Sequence, residues 1–151
     1  MKYIKGLGLG LAAAGLLSAM PATAQDASHE RVRELGIMLM VTSLRCRTTV
    51  DDFQQDYRDF SARHIDRLNA ASRSMQRELE SRHGKRGAKR QLDRLSVQMA
   101  NTYGQGHPFL DCAQLKRLAS DLAQGDNAAL IAASRDLLAD GRGGSATYAR
   151  R

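Results

Sequence analysis

A chain of 151 residues with no Trp, three Phe and four Tyr must build its core from Leu, Met, Val, Ile and Ala. That length suits one domain with one core rather than two. Its 23 Lys and Arg against 16 Asp and Glu give a formal charge of +7. The acids are interspersed with the cations and aromatics are not, which argues against a nucleic-acid-binding face.

The N-terminus has the layout of a secretory signal. Lys2 and Lys5 precede an apolar run from Gly6 to Met20, then Pro21 and the small-x-small group Ala22-Thr23-Ala24. The predicted leader is residues 1–24, cut between Ala24 and Gln25. The apolar run is shorter than the roughly 20 residues that span a bilayer, so no stable membrane anchor is expected after cleavage. The leader takes Lys2 and Lys5 and no acid, so the 23 Lys and Arg fall to 21 against an unchanged 16 Asp and Glu. The expected location is the periplasm or the medium.

Cys46 and Cys112 are the only cysteines, and both lie beyond the leader. In an oxidising compartment they are expected to join, and with two the pairing is unambiguous. Redox-active cysteines sit close together, as in C-x-x-C, and these do not, so the bridge is read as structural. It requires the end of the first helix to lie beside the start of a late one.

Helical periodicity runs through the predicted domain, residues 25–140. A first helix from about Ser28 carries Val32, Leu35, Leu39, Thr42 and Cys46 at three- and four-residue steps. Ile37, Met38, Met40, Val41 and Leu44 widen its apolar surface almost all round, which marks it as the hub of a bundle. A second helix is predicted from Asp51 to about Arg82, with the acids at its positive end. Its stripe reads Phe53, Tyr57, Phe60, His64, Leu68, Ala71, Met75 and Leu79. It would be nearly 50 Å long, so it is expected either to overhang the domain or to kink, around Asn69 to Ser74.

The stretch His83 to Gly87 ends that helix, with Gly84 as its cap. A third helix follows from about Ala88 to Tyr103, with Leu92, Leu95, Met99 and Tyr103 on one side. The break Gly104 to Pro108 leads into a fourth from about Pro108 to Ala123, expected to turn Phe109, Cys112, Leu115, Leu118 and Leu122 inward. Asp126 or Asn127 caps a fifth that ends near Asp140 and buries Leu130, Ile131, Leu137 and Leu138. The Gly- and Arg-rich tail 141–151 is expected to be disordered. The fold class is all-α, a four- or five-helix bundle held by one disulfide.

Chemistry is sparse. His29, His64, His83 and His107 have no helical ligand spacing, and no HExxH or C-x-x-C-H occurs. No metal site or cofactor is expected, and no catalytic residue is assigned. His64 on the apolar stripe reads as a core histidine, and His107 before Pro108 reads as a turn residue. The basic stretch Arg82 to Arg90 reads as solvated. The segment Asn101-Thr102-Tyr103-Gly104-Gln105-Gly106 combines a polar tip, an aromatic and two glycines just before Cys112. Asn101, Tyr103 and His107 are therefore the candidate binding loop.

Leu44-Arg45-Cys46-Arg47, Asp52-Phe53 with Tyr57 and Phe60, and Ala100-Asn101-Thr102-Tyr103-Gly104 with Cys112 carry a resemblance. The chain resembles small exported helical proteins of Gram-negative bacteria that share a leader, two cysteines and an A-N-x-Y-G-x-G segment. The resemblance implies an envelope location and the same two-cysteine scaffold, and it brings no reaction. The expected function is a periplasmic, non-enzymatic binding or interaction module with an envelope protein as partner. Its contacts are expected on the exposed side of helix two and around Tyr103. A stress chaperone and an envelope hydrolase or lyase using His64 or His107 are the alternatives.

Overall fold

Val32, Leu35, Leu39, Thr42 and Cys46 are all 2% exposed or less, so the first predicted stripe is a buried seam. The computed structural model describes residues 22–138, with side chains from Ser28 onward. Residues 1–21 and 139–151 lie outside the described residues, and with them most of the expected leader and the tail 141–151. Among the described residues there are five helices and no strand: α1 Ala22–Cys46, α2 Gln54–Arg63, α3 Ile65–Thr102, α4 Cys112–Gln124 and α5 Asn127–Leu138. None of these helices is long and apolar enough to cross a membrane.

α1 packs against each of the other four helices, as its broad apolar surface predicts. Its hydroxyls inside the core are satisfied locally. Thr42 Oγ1 donates to Met38 O at 2.7 Å and Ser43 Oγ to Met40 O at 2.8 Å. The surface is less apolar in use than in sequence, because Met40 and Leu44 stay exposed at 37% and 47%.

The predicted second helix is two pieces. α2 ends at Arg63, and the break falls at His64 (φ −109°, ψ 15°) rather than around Asn69 to Ser74. The cause is tertiary: the buried His64 ring meets Leu122 O at 2.8 Å through Nε2, tying the break to the last turn of α4. The stripe itself continues across the break, with Phe53, Phe60, His64, Ala71 and Met75 buried.

α3 is bent back on itself at Gly84 (φ +64°, ψ 169°), giving arms over 65–83 and 85–102. Arg33 of α1 proves the reversal by donating to Ser72 on one arm and Ser96 on the other. Along a straight helix those serines would stand about 36 Å apart. Gly84 is thus a hairpin tip, and the second arm starts a turn earlier than its apolar pattern, which only begins at Ala88.

α4 begins at Cys112, not Pro108. Asp111 caps it, accepting from Gln114 N at 2.8 Å while Gln114 Oε1 accepts from Asp111 N at 2.9 Å. This reciprocal box fixes the start and leaves Phe109 outside the helix, 49% exposed instead of inward. α5 is started by Asp126, whose Oδ1 accepts from Ala129 N at 2.9 Å. It buries Leu130 fully and Leu137 nearly so, and leaves Ile131 and Leu138 half-buried.

The Cys46–Cys112 disulfide joins the end of α1 to the start of α4 across 66 residues, with Cα atoms 5.8 Å apart.

Candidate functional site

The loop after α3 brings together two of its three candidate residues. Tyr103 turns inward, 5% exposed, and its hydroxyl donates to Glu34 Oε1 at 2.9 Å. Burial, then the Glu34 carboxylate, pushes its phenol well above the ordinary value. The His107 ring stacks on Tyr103 at 6.0 Å between centroids. His107 Nδ1 accepts from Phe109 N at 3.2 Å and Leu110 N at 3.1 Å, and burial holds its pKa below the ordinary value. Asn101 does not join them: its side chain is exposed, and its carbonyl accepts from Gly104 N at 3.2 Å. The loop packs closely on α1, since a Cβ on Gly106 (φ +108°) would sit 3.3 Å from Arg45 Nε.

His64 and His107 are therefore engaged by the main chain, His64 with Leu122 O and His107 with two amides. A general base needs a ring nitrogen turned toward a substrate, and one nitrogen of each ring, Nε2 of His64 and Nδ1 of His107, faces peptide groups instead.

A second site lies where α1 crosses the α3 hairpin, beside the start of the first arm. It is a mostly apolar groove of about 380 Å³, within the roughly 300–1,000 Å³ usual for small-molecule pockets. Gly36, Ile37 and Met40 form one wall, Tyr57, Ile65 and Leu68 another, and Arg33 with Ser72 and Ser96 lies at the polar end. Gly36 makes the close approach possible: a Cβ there would come within 3.0 Å of Leu68 Cδ2.

Arg33 is half-buried and its donors go to neutral partners. Nη1 donates to Ser72 Oγ, and Nη2 to Ser96 Oγ at 2.7 Å. The two hydroxyls in turn donate hydrogen bonds to helix carbonyls, Leu68 O at 3.2 Å and Leu92 O at 2.6 Å. Arg33 Nε is buried without a hydrogen-bond partner, a property shared with Arg67 Nε, which lies outside the groove. Burial holds the guanidinium below the ordinary arginine value, with Asp93 opposing the shift. At neutral pH it remains a cation.

Three residues distant in sequence thus build the polar end, and no local motif announces them. The only prior signals are a charged residue, Arg33, inside an apolar period, and two serines placed symmetrically about Gly84. The hydroxyl protons of Ser72 and Ser96 are committed to helix carbonyls. Among the described residues no group of three or more His, Cys, Asp or Glu side chains is placed to hold a metal ion. No protein-family model, curated protein or solved structure matches the chain.

Proposed function

We propose that this chain is an exported, periplasmic binding module without catalytic activity, and that its ligand site is the groove between α1 and the α3 hairpin. One observation carries the reading: a mostly apolar groove of ligand size has a half-buried guanidinium at one end whose partners are both neutral. A stable scaffold supports such a role, and the disulfide supplies one. The buried histidines, engaged by the main chain, make a hydrolase or lyase the weaker alternative.

Native mass spectrometry of protein recovered from cells without reductant tests this. The expected mass is that of residues 25–151 less two hydrogens, carrying a non-covalent small molecule. Asn69→Trp, at an exposed position of the groove lining, should lose the adduct. An adduct held equally by wild type and variant would move the site elsewhere and sink the proposal.

The chaperone alternative draws on Met40, Leu44, Ile65 and Val97, which are 37%, 47%, 48% and 59% exposed. It predicts that equimolar protein slows aggregation of an acid-treated client, and unchanged aggregation rules it out.

A further inference from the structure

We infer that the groove takes a single-chain anionic amphiphile, its acidic head on Arg33 and its alkyl chain along Ile37, Met40, Ile65 and Leu68. The inference rests on the groove being the ligand site. A half-buried charge is costly unless paired, and Arg33 hydrogen-bonds only to hydroxyls, with Asp93 acting on its charge but forming no ion pair with it. The one ion pair among the described residues is Arg82 with Glu78, far along the hairpin. Each terminal nitrogen of Arg33 makes one bond here and carries a second N–H, so a carboxylate completes a charge-assisted fork.

The remaining lining selects the rest of the ligand. One guanidinium with no lysine beside it fits a monoanion better than a polyphosphate. A single aromatic, Tyr57, gives no platform for a stacked base. Unbranched, adaptable Met40 at the mouth, 37% exposed, suits a flexible alkyl chain.

Titration calorimetry of the oxidised protein with octanoate, decanoate and dodecanoate, each below its micellar concentration, tests this. One site per chain is expected, tightening about tenfold per two added carbons. Decanol and decyltrimethylammonium should bind at least tenfold more weakly than decanoate. Arg33→Gln should weaken decanoate ten- to hundredfold and leave decanol unchanged. Because Arg33 also ties the hairpin arms, Ile65→Glu and Ile65→Lys at the exposed mouth test the groove without removing that tie. Each should weaken decanoate and decanol at least tenfold, because either charge takes apolar surface from the alkyl chain.

Equal binding of decanoate, decanol and decyltrimethylammonium, still rising with chain length, overturns the anionic assignment and leaves the groove as the ligand site. Absence of binding by all three overturns both. Binding to anionic lipid vesicles, with none to free decanoate, also overturns the inference.

Discussion

Tyr103 and Glu34 join the end of α3 to the first half of α1 through a 2.9 Å hydrogen bond between residues 69 apart in sequence. The Tyr103 ring also stacks on His107, so it ties the loop as well as the helix pair. Tyr103→Phe should cost about 1.5–3 kcal/mol in urea unfolding, the usual range for a bond to a charged acceptor. Burial and Glu34 hold the phenolic proton more tightly in the folded chain than in the unfolded one. The contribution is therefore fully present below the ordinary tyrosine value of about 10 and is lost as pH rises above it. Wild type should lose stability above that pH more steeply than Tyr103→Phe.

His107 should impose the opposite trend at the acid end. Its Nδ1 accepts from two amides, which only the neutral ring can do. Its folded pKa lies below the ordinary value, so stability is full above about 6.5 and declines as pH falls through the folded value. A melting series from pH 7.5 to 5 should show that decline, and His107→Ala should flatten it. At neutral pH the same variant should cost about 1–2 kcal/mol for the two unmatched amides.

Gly84 combines φ +64° with ψ 169°, and an added Cβ would meet nothing within 4 Å. Any penalty there is conformational, not steric crowding by neighbours. Gly84→Ala should cost about 1–3 kcal/mol. Gly84→Asn should give no rescue, because asparagine tolerates the left-handed helical region near ψ +47° and this ψ lies far from it.

Loss of the disulfide should cost about 4 kcal/mol on the chain-entropy account of a 66-residue loop. That is much of a small domain's usual 5–15 kcal/mol. Urea unfolding of Cys46→Ser/Cys112→Ser beside the oxidised protein measures it. A difference under about 1 kcal/mol would mean that the unfolded chain is already compact.

Periodicity made the core legible: the α1 stripe buries as its spacing predicts, and so do Phe53, Phe60, His64, Ala71 and Met75 of the next, while Tyr57 and Leu68 stay half-buried. It failed at boundaries that tertiary or capping bonds decide. His64 breaks a continuous helical pattern because its ring reaches Leu122 O, a residue 58 positions away. Asp111 overrides Pro108 because its box with Gln114 satisfies the first amides of α4. Phe109 then stays outside. In the candidate loop, aromatic and glycine content pointed to Tyr103 and His107, which do meet. It could not foresee that Tyr103 is spent on Glu34. The groove was invisible for a plainer reason: Arg33 lies 39 and 63 residues from its serine partners, which meet only once the hairpin closes.

The loop closed by Cys46 and Cys112 encloses α2 and the whole α3 hairpin, whose tip exposes Arg82, Lys85, Arg86, Lys89 and Arg90. A single tryptic nick at that tip therefore divides the chain into two peptides without separating them. The sulfur–sulfur bond still tethers the halves, and Arg33 still grips a serine on each. The nicked molecule should migrate as one species until reductant is added. The hairpin tip is accordingly the natural place to insert a reporter or open new termini by circular permutation.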